Sequence, residues 1–292
     1  MMKINAEQHI EPKKASLRVA LVLVSILAVT ATLVAAVLYT TIVKRTSQEG
    51  RSFAKYSVDV QNDVSNNDIG SDKIYSPGAD CGDILKTVGP LSGVYKIQPE
   101  GASAPFSVYC EMTDSGAWTV IQRRQDGSVS FIRNWADYKE GFGNINGEYW
   151  IGNDNIHYLT KQAPYKLRID LGKGDGLTAY AEYNTFVIED EYNNYTLHLG
   201  ENSGTAGDSL IDTYTTNNGM PFSTFDNDND QYIYNCASNY YAGWWFNHCT
   251  DGNLNGFYYT TKQENYHGTL NWFTWNLYEP LKSVTMKLQQ VN

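Results

Sequence analysis

From Val19 to Val43 the chain runs 25 residues without a charge, VALVLVSILAVTATLVAAVLYTTIV. As a helix such a run measures about 37 Å, enough to cross a hydrocarbon core of about 30 Å with some tilt. It exceeds the apolar region of a secretory signal peptide, about 7–15 residues, and no convincing small-residue cleavage motif follows it. The reading is an uncleaved signal-anchor. It divides the chain into a cytoplasmic tail (1–18), a transmembrane helix (19–43), an extracellular stalk (44–77) and a C-terminal domain (78–292).

The charges flanking the run do not orient it. Lys13, Lys14 and Arg18 precede it while Lys44 and Arg45 follow, a near tie under the positive-inside rule. The cysteines settle the matter. Cys81, Cys110, Cys236 and Cys249 all lie after the run, and an even count in a body rich in Tyr and Gly suits disulfides in an oxidising compartment. Four cysteines allow three pairings, of which sequence neighbours give Cys81–Cys110 and Cys236–Cys249. No C-x-x-C zinc spacing occurs. These readings place a single-pass type II protein in the plasma membrane with its C-terminal domain outside. The sequon Asn194-Tyr195-Thr196 adds an expected glycosylation site at Asn194.

Charge narrows the partners. The net charge is −10, yet residues 1–55 carry eight Lys/Arg against three Glu, or +5, so the remainder carries −15. So acidic a body excludes nucleic acid, which needs a basic face. Residues 44–76 are polar without sustained heptads and read as a flexible stalk.

Beyond Cys81 the pattern is that of an α+β domain. Ser92–Ile97, Phe106–Cys110 and Trp118–Arg123 alternate as short strands. Lys166–Leu171 and Thr178–Tyr183 form a pair around a GKGDG turn, and Val284–Leu288 reads as a closing strand. Helical candidates are Trp135–Tyr138 and Asn153–Leu159; after about residue 200 the chain reads mostly as loop.

Several motifs, in order, resemble one family. Cys81-Gly82-Asp83-Ile84-Leu85, Ser92-Gly93-Val94-Tyr95, Val108-Tyr109-Cys110-Glu111-Met112 and Gly116–Arg124 are followed by Glu148-Tyr149-Trp150-Ile151-Gly152-Asn153, Gly204–Leu210, Trp244-Trp245 and Asn253-Leu254-Asn255-Gly256. Over residues 78–292 the chain resembles the fibrinogen C-terminal-like domain, and the expected anchor makes it look like a membrane-bound relative of the ficolins and tachylectins. The resemblance implies a central mixed, mainly antiparallel sheet and a loop-rich calcium- and ligand-binding subregion. It implies the disulfides Cys81–Cys110 and Cys236–Cys249, the second closing a loop worth about 3 kcal/mol. It also implies a cis peptide at His248-Cys249.

The acidic run FDNDNDQYIYNC, Phe225–Cys236, repels itself unless a cation sits in it. It is not an EF-hand, for Gln231 and Ala237 stand where that loop needs Gly and Glu. The family's loop implies Ca²⁺ held by the carboxylates of Asp228 and Asp230 and the carbonyls of Tyr232 and Tyr234, with Asp226 behind them. Extracellular calcium modules bind at roughly 10⁻⁴–10⁻³ M. The pocket implied by the resemblance follows, at Tyr240, His248, Cys249, Thr250, Tyr266 and His267, where an acetyl methyl would lie among rings and its carbonyl on backbone amides. Thr250 departs from the His usual in acetyl binders. Trp244 and Trp245 read as core.

Nothing points to catalysis. Gly207-Asp208-Ser209-Leu210 lacks the downstream base a serine nucleophile needs, Glu189-Asp190-Glu191 has no apolar setting to raise a pKa, and neither HExxH nor a P-loop occurs. Two readings remain: a cell-surface pattern-recognition lectin taking acetylated or anionic glycans, and a protein-ligand-binding molecule of adhesion, signalling or self/non-self recognition. Weak single-site affinity would favour a homo-oligomer through avidity.

Overall fold

The computed structural model describes residues 77–291, apart from 212–214, 260–267 and 278. The expected tail and transmembrane helix, nearly all of the stalk, and both Tyr266 and His267 lie outside the described residues.

Helix α1 (Cys81–Thr87) starts where the Asp80 side chain accepts the Asp83 N–H, an N-cap that satisfies one of the orphan donors of the first turn. The Cys81–Cys110 disulfide then staples this helix to strand β2 (Phe106–Thr113), which pairs with β1 (Gly93–Ile97) and β3 (Gly116–Arg124). Helix α2 (Trp135–Glu140) is capped by Asn134 and stops at Gly141, whose φ of 99° only glycine adopts without strain. Short strands β4 (Phe142–Gly143) and β5 (Tyr149–Trp150) lead into α3 (Asn153–Gln162), which buries Ile156 and Leu159.

Strand β6 (Tyr165–Gly172) shows why this region is legible. Leu167, Ile169 and Leu171 point to the core while Lys166, Arg168 and Asp170 point outward, the period-two pattern of a half-buried strand. It turns through the expected Gly-rich hairpin into β7 (Thr178–Tyr183). Strands β8 (Phe186–Ile188) and β9 (Leu197–Leu199) make a small separate hairpin around a 3₁₀ turn at Glu191–Asn193, and β10 (Asn202–Gly204) returns to β7. The loop-rich remainder contains α4 (Cys236–Tyr240), β11 (Gly252–Asn253), β12 (Asn271–Trp272) and α5 (Phe273–Asn276). Last comes β13 (Ser283–Gln290).

The main sheet runs β1-β2-β3-β13-β6-β7-β10, with β4 and β5 attached beside β3. The expected mainly antiparallel sheet is borne out: among the described residues every strand ladder is antiparallel, and parallel pairing occurs only in the isolated bridges Gly78–Ile97 and Phe257–Thr269. The reason is topological. Hairpins and returns from the opposite end connect these strands, and parallel neighbours would require crossover helices. On the outer face, Lys287 of β13 reaches Glu111 of β2 at 2.6 Å and Asp170 of β6 at 2.7 Å, which fastens three strands.

Candidate functional site

The acidic loop is built on side-chain to backbone hydrogen bonds. Asn229 donates from its side chain to the Phe222 carbonyl and from its backbone to the Ser223 hydroxyl. Asn235 accepts the Ser238 N–H, so capping α4, and donates to the Thr224 carbonyl. Cys236 opens α4 and is bonded to Cys249, while the Gln231 N–H donates to the Asn247 carbonyl. The loop is thus tied to both ends of the segment after it.

Within it the three aspartates part company. Asp226 turns away, its Oδ1 accepting the Trp135 N–H at 3.0 Å and the Thr224 hydroxyl at 2.7 Å, which latches the loop to the first turn of α2. Asp228 and Asp230 stay together. Asp228 Oδ1 accepts the Asp230 N–H at 3.3 Å, and Asp230 accepts the N–H of Tyr232 on one oxygen and of Cys236 on the other, each at 2.8 Å. Burial pushes the Asp230 carboxyl up to about 6; the adjacent Asp228 charge pushes the same way, against the two amides. Among the described residues the Tyr232 and Tyr234 carbonyls receive no hydrogen bond. No group of three or more His, Cys, Asp or Glu converges among the described residues. The half-buried Asp230 with the exposed Asp228 bonded to its N–H, and the Tyr232 and Tyr234 carbonyls that follow, nevertheless supply oxygen donors of the kind a hard, oxygen-seeking cation takes.

Beside the loop lies an open depression of about 510 Å³ lined by Tyr232, Asn239, Tyr240, Tyr241, His248, Cys249, Tyr259 and Gly268. Tyr240, His248 and Cys249 were expected there. Thr250 is not among the lining residues: its hydroxyl faces inward to Asn217 Oδ1 (3.1 Å) and the Gly252 carbonyl (2.9 Å). The His248–Cys249 peptide is cis. Neither the Cys249 nor the Thr250 N–H donates to an acceptor among the described residues. The His248 ring sits edge-on to Tyr232, centroids 5.5 Å apart. Burial raises the Tyr240 phenol, and the charge of Asp251 adds to the effect. Trp244 and Trp245 are core, as the sequence suggested.

Periodicity could not reveal how this wall is hung. Gln122 donates to the Leu254 carbonyl and to Asn255 Oδ1, and Arg124 donates to the carbonyls of Leu254 and Gly256. Asn255 in turn donates to the Gly243 carbonyl and Asn253 to that of Tyr240. Gly243 is required at its position, since a Cβ there would lie 2.5 Å from the Tyr138 ring. Arg124 is buried beside Glu148, whose carboxylate accepts four backbone N–H groups, from Gln125, Asp126, Gly127 and Val129. Burial lowers Arg124 to about 10 despite that partner. The sequence marked these residues only through the motifs Gly116–Arg124, Glu148–Asn153 and Asn253-Leu254-Asn255-Gly256, not through the bonds between them.

Comparison with known proteins gives a consistent result. The family model for the C-terminal globular domain of fibrinogen beta and gamma chains matches residues 77–291. Fibrinogen-like protein 1 of Bos taurus and of Homo sapiens are each 48% identical over 237 residues, covering 76% of this chain and 74% of the relative. The fibrinogen-like globe domain of human ANGPTL2 superposes with a TM-score of 0.70 at 42% identity, over 73% of this chain and 99% of that one. Lamprey fibrin D-dimer, complexed with the peptide Gly-His-Arg-Pro-amide, has a TM-score of 0.70 at 34% identity, over 96% of each chain.

These relatives correct one expectation. The chain is similar to secreted fibrinogen-like proteins, which overturns the placement as a single-pass type II plasma-membrane protein. Among the described residues no helix is long and apolar enough to cross a membrane. Length and lack of charge license a span, but they do not by themselves say what becomes of the segment during export.

Proposed function

Since the chain belongs to the family of the fibrinogen C-terminal globular domain, we propose that its loop-rich half is a calcium-ordered recognition site whose ligand is a short, positively charged peptide segment of another protein. The observation that carries this reading is the depression itself: tyrosine rings and His248 on its walls, the Cys249 N–H in its wall and the Thr250 N–H directly after it, both without an acceptor among the described residues, and acidic groups around it. Tyrosine walls give contact area at low entropic cost, the amides suit a peptide carbonyl, and Asp251 together with the net charge of −15 beyond residue 55 favours a cationic partner. The peptide complex of the lamprey relative supports the same ligand class.

Asp228 and Asp230 would hold Ca²⁺ by their carboxylates, Tyr232 and Tyr234 by their carbonyls. The ion's contribution is charge neutralisation and loop order. The chain's own part is to keep Tyr232 and His248 at the rim of the depression, through Gln231 on Asn247 and the Cys236–Cys249 bond.

A second reading, a ficolin-like lectin, draws on the same amides and rings, which also suit an acetamido group. It favours acetylated over anionic sugars, because the acidic body repels the latter. Calorimetry on the full chain with Gly-His-Arg-Pro-amide and with N-acetylglucosamine, in calcium and in EDTA, tests both. Peptide binding lost in EDTA and in Tyr240→Ala is the expected result. Sugar binding alone would move the assignment to the lectin, and binding of neither would overturn the site.

A further inference from the structure

The run Glu189-Asp190-Glu191 has no part in the site above, and the residue after it is the most exposed large hydrophobic side chain among the described residues. Tyr192 is 92% exposed, against 38% and 65% for Tyr232 and Tyr234 on the acidic loop. Those two rings pack on one another, whereas Tyr192 makes no hydrogen bond or ring contact among the described residues. A buried or paired tyrosine explains itself through packing; here folding leaves a phenol standing in water.

Its surroundings are equally specific. The tyrosine sits in the 3₁₀ turn Glu191–Asn193 that joins β8 and β9, and the side chains before it are tied to their neighbours. Asp190 accepts the Asn193 N–H, Glu191 accepts the Trp135 indole N–H and the Lys139 ammonium, and Glu189 meets His198 at 2.7 Å. Three consecutive carboxylates therefore stand in fixed positions immediately before an accessible phenol. The two disulfides suit a domain that folds in an oxidising, export-pathway lumen.

We propose that Tyr192 is a sulfation site, modified by a lumenal sulfotransferase that recognises the acidic run through a basic cleft. The phenol oxygen attacks the sulfur of an activated sulfate donor, a mixed phosphate–sulfate anhydride. One O–S bond forms, the S–O bond to the phosphate breaks, the phosphate leaves with that electron pair, and the phenol proton passes to a base of the transferase. No group is oxidised or reduced. The product extends the acidic hairpin by a permanent charge and three acceptor oxygens, a docking element for an arginine-rich partner surface.

Peptide mapping by mass spectrometry of the full chain exported from cultured animal cells, after removal of N-linked glycans, tests this. One sulfuryl group is expected on the peptide containing Tyr192, resistant to phosphatase. It should be lost in Tyr192→Phe, lost in cells grown with chlorate to block sulfate activation, and reduced in Glu191→Gln, which keeps the bond to Trp135. An unmodified Tyr192 from cells that sulfate a control protein, or a phosphatase-sensitive group there, overturns the proposal.

Discussion

The part of the domain built on the main sheet and the part between β10 and β13 reach order by different means. In the first, backbone groups satisfy one another along ladders such as β13 on β6, eight residue pairs long. In the second, strands are two residues long and the backbone is satisfied by side chains: Asn217 on the Trp245 carbonyl, Asn229 on Phe222, Asn247 on Thr216, Asn253 on Tyr240, Asn255 on Gly243. A ladder tolerates side-chain exchange because its bonds are generic. A loop held by amides is specific residue by residue, and that is why it can shape a site and why it fails when single residues change.

The sharpest way to break the comparison is at Glu148, which joins the halves through Arg124. If the halves were independent, its loss would be felt in the sheet alone. Glu148→Ala leaves a buried guanidinium without its counter-charge and four amides without their acceptor, so a loss of roughly 3–5 kcal/mol is expected in denaturant titration. The perturbation should reach Leu254–Gly256 by hydrogen exchange.

Next is the Cys236–Cys249 bond. Replacing both cysteines by serine should cost about 3 kcal/mol, with exchange protection falling in residues 225–259 and holding in β3, β6 and β13. Uniform loss of protection would show that the halves unfold as one unit.

Calcium sharpens the comparison further. At tenfold excess over its dissociation constant the ion should stabilise the domain by about 1.4 kcal/mol, an effect absent in Asp230→Ala. The pH dependence has a definite sign. The folded loop binds the Asp230 proton more tightly than the unfolded chain does, with its carboxyl at about 6 against an ordinary 3.8, so the calcium-free domain gains stability as pH falls through that window. Calcium must displace the same proton. Its affinity should therefore weaken about tenfold per pH unit below about 6, by calorimetry at pH 5 and 7.

The smallest effect concerns Asp226. Asp226→Asn keeps an acceptor for the Trp135 N–H and should leave calcium affinity near wild type, whereas Asp226→Ala should weaken it by about 0.5–1.5 kcal/mol, the worth of a hydrogen bond. Equal losses in the two variants would make Asp226 a ligand.

The same contrast explains what could be read from the sequence. Alternation located β1, β2, β3, β6, β7 and β13 to within a few residues, because a half-buried strand repeats every two positions. Helix α1 escaped notice: seven residues carry no apolar period, and its signature is the single cap Asp80. In the loop half, motif order located Tyr240, His248 and Cys249, but Tyr241, Tyr259 and Asn239 had no pattern to announce them. Glu148 and Arg124 stood in two of the motifs, but their pairing was not legible, since sequence does not show that a carboxylate has found four amides. Thr250 was expected as a ligand contact; its hydroxyl serves Asn217 and Gly252, which leaves its backbone N–H for that part.

Strand β13 lies between β3 and β6 yet is the final strand of the described chain. During synthesis the two flanking ladders leave the ribosome first, each with an open edge where its neighbour will sit, and such edges invite pairing with other chains. Closure must wait until β13 has emerged. The nascent domain is therefore dependent on timing: a chain broken off before β13 leaves two unjoined sheet fragments, and cellular quality control meets the failure of the whole sheet from the loss of one strand.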